Sequence, residues 1–258
     1  MSSILDISYT GFALGFLLIL IPVVALWRYK TGLVRTTLLS VLRMTVQLFL
    51  VGFYLEWLFK WDIWWVDILW VVVMICVASF TIMRRTKLPI RRLLPSIITS
   101  LLISMMVLDT YFMGVVVRLP NVFSARYFIP VSGMLLGNML TANVMALNSF
   151  FGSLDRERQY YLYMLANGAT RSEALAPFMR EALVKSFNPT VASMAVMGIV
   201  ALPGAMTGQI LGGSSPTVAI KYQIMLMLAI FASSLVAVLF ALWFSTRQAF
   251  DSFGMKRF

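Results

Sequence analysis

Residues 63–85 read IWWVDILWVVVMICVASFTIMRR, an almost unbroken apolar run that ends on a pair of arginines. A helix needs about 20 apolar residues to cross the hydrocarbon core of a bilayer, and this run has that length. Trp57, Trp61, Trp64 and Trp65 cluster at its start, where the amphipathic rings of an interfacial belt sit. The same pattern recurs on both sides of it. Apolar runs at 9–27, 36–59, 95–117, 128–147, 189–211 and 219–246 join 63–83 to give seven predicted spans.

The charges between the runs orient them. The first loop carries Arg28, Lys30 and Arg35, and the third carries Arg84, Arg85, Lys87, Arg91 and Arg92. The long fifth loop holds Arg156, Arg158, Arg171, Arg180 and Lys185, and the tail holds Arg247, Lys256 and Arg257. The second, fourth and sixth loops are poor in lysine and arginine. Basic loops stay in the cytoplasm. The alternation therefore predicts an all-α polytopic membrane protein of seven helices, with its N-terminus outside and its C-terminus cytoplasmic. Without basic residues ahead of the first run, a retained first helix is favoured over a cleaved signal peptide.

Composition points the same way. Of 258 residues, 60% are hydrophobic and 12% charged, about half the charge of an ordinary soluble domain. Mean hydropathy is +0.88. The net charge of +11 follows from the basic loops and does not call for nucleic acid. No polar stretch is long enough for a separate domain, so 1–258 reads as one membrane domain with a cytoplasmic loop at 148–188. The expected location is the cell inner (plasma) membrane, multi-pass.

That loop has structure of its own. A helix is predicted over 155–165, with Arg156, Glu157, Arg158 and Gln159 on its polar side and Tyr161, Leu162 and Leu165 on its apolar edge. Gly168 breaks it. Thr170 can cap a second helix, with Glu173 at the third position as a capping box requires. An amphipathic segment lying on the lipid surface is one reading. A docking surface for a soluble partner is the other. The Gly168-Ala169-Thr170 turn between two short helices resembles the coupling loop of ABC transporter permeases, which enters a groove on the ATP-binding subunit. Leu162-Tyr163-Met164 stand where Glu-Ala-Ala is usual in that motif, and Glu181 stands where a proline is usual.

The run Gly198-Ile199-Val200-Ala201-Leu202-Pro203-Gly204-Ala205-Met206-Thr207-Gly208-Gln209, followed by Ser215-Pro216 and Ala219-Ile220-Lys221-Tyr222-Gln223, sharpens this. With Ile129-Pro130-Val131-Ser132-Gly133 and Leu42-Arg43 upstream, it resembles the FetB (UPF0014) family of ABC permeases, from 35 to 246. The resemblance implies the membrane subunit of an iron exporter, a permease homodimer and a separate ATP-binding subunit. Arg156, Glu157, Gly168, Ala169, Thr170 and Glu173 would then form the coupling surface. Plant members of the family are linked to aluminium tolerance, so the resemblance leaves the cargo open.

Within the spans, Gly204 and Gly208, like Gly133 and Gly137, are four apart, a spacing that lets helices approach closely in lipid. Pro203 removes a backbone hydrogen bond and invites a kink. Asn138 and Thr141 share a face, and Gln209 is polar near the outer end. Arg43 and Gln47 share a face of the second span, about 10 Å from its cytoplasmic end at 1.5 Å per residue. These are candidate pathway or interface residues. Asp109, deep in the fourth span, is a candidate cation ligand or partner for Arg43. The chain has no histidine and one cysteine, Cys76, which excludes a His/Cys metal cage within one subunit. It has no phosphate-binding Gly-x-x-x-x-Gly-Lys-Ser/Thr loop, so it binds no cofactor itself. ATP and Mg are expected through the partner. A permease for an organic or lipid-like solute, or a carrier working without ATP, are the rival readings.

Overall fold

A computed structural model describes residues 8–61, 63–119, 121–251 and 254–256. Its regular elements are helices. The first, α1 (Tyr9–Phe16), passes through a 3-10 turn at Leu17–Ile19 into α2 (Leu20–Arg28). Then come α3 (Val34–Trp61), α4 (Trp64–Thr86) and α5 (Ile90–Tyr111), which ends in a π-helical turn at Phe112–Val116. The rest are α6 (Ala125–Arg156), α7 (Arg158–Ala166), α8 (Arg171–Val196), α9 (Gly204–Leu211) and α10 (Pro216–Ala249).

Six stretches are long and apolar enough to cross a membrane: Tyr9–Arg28, Val34–Trp61, Trp64–Thr86, Ile90–Val116, Ala125–Arg156 and Pro216–Ala249. They coincide with six of the seven predicted runs, and the polytopic all-helical class stands. The remaining run, 189–211, sixth in chain order, does not form one helix. Its first part is the end of α8, which continues unbroken through Pro177 and Pro189 to Val196. Gly198 then takes a left-handed φ of 87°, and Pro203 has no N–H to give. Together they cut the helical ladder, and α9 starts afresh at Gly204. A hydropathy average sees only apolar residues there and misses the break. The loop helix expected over 155–165 is also corrected. The chain stays in α6 through Arg156, bends at Glu157 (φ −108°, ψ 32°) and resumes as α7.

The chain divides into two compact units, 1–62 with 211–213, and 63–210 with 214–258. In the first, Phe12 meets Phe16 and Phe49 edge-on at centroid distances of 5.2 and 6.0 Å. None of the residues of Tyr9–Arg28 is buried within the chain. For an apolar helix of this length, lipid or a second protein supplies the missing contacts.

The second unit packs α4, α5, α6, α8 and α10. Leu93, Ile97 and Leu101 of α5 are fully buried, one turn apart, as are Leu135 and Met139 of α6 and Ala237, Val238, Ala241 and Leu242 of α10. Small polar residues share that interior. Ser96, Ser100 and Ser104 form a buried stripe on α5, with Ser233, Ser234 and Ser245 buried on α10. Ser100 and Ser104 donate to the carbonyls of Ile97 and Ser100 of their own helix, at 2.8 and 2.7 Å. A hydroxyl satisfied this way lets two helices come close in lipid without stranding a donor. The predicted glycine pairs do not play this part within the chain. An added Cβ at Gly137, Gly204 or Gly208 would meet nothing within 4 Å, and at Gly133 only the Met74 methyl at 3.4 Å.

Candidate functional site

The polar loop is built as a rigid corner. α7 ends in a Schellman motif, the left-handed glycine turn that ties off a helix C-terminus. Gly168 (φ 87°) donates to the Leu165 carbonyl at 3.0 Å, and Ala169 donates to Met164 at 3.1 Å. Two residues on, Thr170 caps α8. Its N–H donates to Glu173 Oε2 at 2.7 Å, while Glu173 N–H donates to the Thr170 hydroxyl at 3.3 Å. The predicted capping box is therefore present in both directions. The backbone bond from Thr170, then its hydroxyl, hold the Glu173 carboxyl below the ordinary glutamate range. A group whose folded pKa is lowered stabilises above its unfolded value, and the effect is lost as pH falls through the folded one. The box is thus intact at neutral pH.

Arg156 and Glu157 lie at the bend at the other end of α7. Arg156 meets Glu157 at 3.0 Å and Glu181 at 3.7 Å, and Glu181 also pairs with Lys185 at 2.5 Å. All are surface pairs that contribute little stability. They set the shape of the charged face. Glu181 is the centre of that network.

The chain's end adds a feature that sequence reasoning missed. After α10, Asp251 accepts the Met255 N–H at 2.7 Å and Phe250 bridges to Lys256, closing a tight turn. Tyr161 of α7 donates its hydroxyl to the Gly254 carbonyl at 2.7 Å. Lys256 binds both oxygens of Asp155, at 2.6 and 2.8 Å. Phe250 and Phe178 pack on the Tyr161 ring at 5.8 and 6.5 Å. Gly254 has a φ of 77°, and a Cβ there would stand 3.1 Å from a Leu165 methyl. The tail thus staples α10 to α7. Lys256, as a tail cation, carried only an orientation signal in the sequence, and Asp155 pairs with it rather than starting a helix.

At the opposite ends of these helices is a cavity of about 440 Å³. It is lined by Arg126 and Tyr127 of α6, Tyr222 and Gln223 of α10, Gln209 of α9, and Met113. α6 and α10 therefore run the same way. Their first turns share this cavity, and their last turns are joined through Asp155, Tyr161 and the tail.

Between the two ends, Asp109 is buried at 3% exposure and accepts a hydrogen bond from the Ser132 hydroxyl. Its Oδ1 has no hydrogen-bond partner among the described residues. Asp67, fully buried near the start of α4, is a second interior acid that the sequence reading passed over. Among the described residues no three His, Cys, Asp or Glu come together to hold a metal. Asn138 and Thr141 bond back to their own helix, at Met134 (2.8 Å) and Gly137 (3.1 Å). Arg43 and Gln47 are exposed on α3.

Ser132→Ala would remove a hydrogen bond from a buried carboxyl, which costs about 1–3 kcal/mol. A lower thermal midpoint in detergent is expected for Ser132→Ala, and a near-normal one for Ser132→Thr. Equal midpoints for all three proteins would show that this bond does not contribute.

The sequence profile described as "Uncharacterised protein family (UPF0014)" matches residues 9–250. The chain is similar to the UPF0014 membrane protein YjkA of Bacillus subtilis, at 27% identity over 88% of this chain and 89% of that one. It is similar to the probable iron export permease protein FetB of Escherichia coli, at 27% over 96% and 94%. It is also similar to the protein ALUMINUM SENSITIVE 3 of Arabidopsis thaliana, at 32% over 83% and 77%. No solved structure matches. A multi-pass helical protein matched from its first described helix to Phe250, this chain belongs to the UPF0014 family of membrane proteins.

Proposed function

We propose that this chain is the membrane-spanning permease subunit of an ATP-driven ABC exporter that moves a metal cation, iron, out of the cytoplasm across the inner membrane. The observation that carries the reading is the corner between α7 and α8. Its Schellman turn and capping box present a well-defined exposed tip at Gly168–Thr170, followed by Arg171 and Glu173, the shape a soluble ATP-binding subunit would grip. The relative from Escherichia coli named as a probable iron export permease supports the cargo and its direction.

The path of the chain supports seven crossings. α6 and α10 run the same way, so residues 157–215 return across the same thickness. α8, the turn at 197–203 and α9 make that return in two pieces. With the basic loops in the cytoplasm the N-terminus lies outside. One bundle with one docking corner calls for two copies about a two-fold axis. Each copy would hold one ATP-binding subunit, which brings ATP and Mg.

A permease for another metal or for an organic or lipid-like solute is the second reading, favoured by the lack of a clustered ligand set among the described residues. One experiment separates them. Inverted vesicles carrying this chain with its co-purified ATP-binding subunit are expected to accumulate Fe²⁺ on addition of ATP. ATP-dependent uptake of organic solute without Fe²⁺ would favour the second reading. Failure of any ATP-binding subunit to co-purify would overturn the ABC assignment.

A further inference from the structure

The break between α8 and α9 is unusual in its surroundings. Carbonyl oxygens of Met197, Gly198, Ile199, Val200 and Leu202 accept no hydrogen bond from the described residues, while Ala201 accepts from Gly198 at 2.9 Å. The side chains around them stand clear of the protein, with Ile199 at 89% and Val200 at 79% exposed. From Lys185, the last charge on α8, to Met197 the helix rises about 18 Å at ~1.5 Å per residue. That is well inside a hydrocarbon core about 30 Å thick.

Bare carbonyls at that depth are not tolerated against lipid. Non-helical backbone survives in a membrane only where protein covers it or where it lines a water-filled cavity. Within 197–202 the N–H groups of Met197, Gly198, Ile199 and Val200 are bonded while only the Ala201 carbonyl accepts, so the free groups there are mostly acceptors. α8 directs the C-terminal end of a 26-residue helix at the turn, and the partial negative charge of such an end favours a cation. Pro203, the last residue before α9, removes one N–H from the donors at the start of that helix. Oxygen-only coordination suits a hard metal cation rather than a soft one. It also provides ligands to a chain with no histidine and one cysteine.

We infer that the unwound segment 197–202 is the cation-binding element of the transport route, its backbone carbonyls replacing part of the water shell of a hard metal cation. This deepens the exporter reading and rests on it for the depth of the turn. Apolar side chains beside the carbonyls make contacts too weak to trap the cation, as passage requires.

The single cysteine makes the test direct. In a Cys76→Ala background, Ile199→Cys, Val200→Cys and Leu202→Cys are made singly in full-length protein with its ATP-binding subunit, in vesicles. Leu228→Cys, exposed on α10, is the lipid-facing control. A charged, membrane-impermeant methanethiosulfonate is expected to label the three turn positions faster than Leu228→Cys. With anaerobic Fe²⁺ at about ten times its Kd, labelling at the turn slows about tenfold, in proportion to the unoccupied fraction. Mn²⁺ is expected to protect likewise, which guards against ligation by the new thiol alone. Labelling no faster than the control, or labelling that neither metal slows, overturns the site. Cross-linking between two copies at these positions without aqueous labelling also overturns it and makes the turn a dimer seam. ATP-driven Fe²⁺ uptake is read in the same vesicles. Protection without uptake would refute the exporter reading and keep the site, whereas uptake without protection would refute the site alone.

Discussion

Phe178→Ala is expected to destabilise the protein more than any other single truncation near the polar loop, by ~3–5 kcal/mol. Phe178 is 1% exposed and meets the Tyr161 ring edge-on. Tyr161 in turn supports Phe250 and the tail at Gly254. The surrounding charges, Arg158, Arg171, Arg180 and Glu181, place this cluster in water rather than lipid. That decides the magnitude. Inside a bilayer an apolar side chain that loses its protein contacts finds lipid, and little hydrophobic driving force is at stake. In water the full transfer term is lost, together with a cavity term for the space left behind. Removing the ring also leaves Tyr161 without one wall, so the tail loosens with it. Thermal midpoint in detergent and protease cleavage after Lys256 are the two readouts. Phe178→Leu, which keeps most of the volume, is expected to cost under ~1.5 kcal/mol. An unchanged midpoint for Phe178→Ala would mean that the tail and α7 are not joined through this ring.

The contrast between what the sequence announced and what it hid has physical causes. Helix ends were legible where one residue does one local job. Thr170 and Glu173, three apart, announced a capping box and formed one, and Gly168 announced a turn and took the left-handed angle it needs. Spans were legible because lipid imposes a length on apolar runs. The break at 197–203 was hidden because Ala201, Leu202 and Pro203 are as apolar as the helices they separate. Pro203 suggested a kink, but only Gly198 and Pro203 acting together end one helix and begin another. Asp109 was visible as a buried acid, yet its partner Ser132 is 23 residues away, a pairing that no local pattern encodes. The tail was the least legible. Gly254 matters because of what faces it across 93 residues, at Tyr161. Close packing inside the chain was hard to read for a related reason. The glycines at four-residue spacing make little close contact within the chain, while the stripe Ser96, Ser100 and Ser104 is buried in it. A buried serine that returns its hydroxyl to its own helix is nearly as small as alanine to a neighbouring helix.

Gly168→Val is expected to give the largest loss of transport with the membrane bundle intact. The left-handed angle at Gly168 costs an L-residue about 1–2 kcal/mol, and more when the side chain branches at Cβ. Crowding is not the cause, because a Cβ at Gly168 would meet nothing within 4 Å. The strain therefore has one outlet, which is to undo the Schellman turn. Gly168 and Ala169 would release Leu165 and Met164, the last turn of α7 would fray, and Thr170 would point its cap elsewhere. Gly168 and Thr170 are themselves exposed, and the bundle packs through the buried faces of α4, α5, α6, α8 and α10, so folding and insertion are expected to persist. If the corner docks on an ATP-binding subunit, as proposed, a displaced tip would no longer pass on that subunit's closure. A loss of coupling worth about 1.4 kcal/mol lowers ATP-driven flux about tenfold. Backbone preference alone predicts the ranking Gly, Asn, Ala, Val for residue 168, since asparagine tolerates the left-handed region best among non-glycine residues. Flux in inverted vesicles, set against unchanged expression and thermal midpoint, tests it. If the loop merely lay on the lipid surface, the order would instead follow side-chain hydrophobicity, and valine would bind the membrane better than asparagine. The two readings of this segment therefore predict different rankings from the same four proteins, with valine last in one and first in the other.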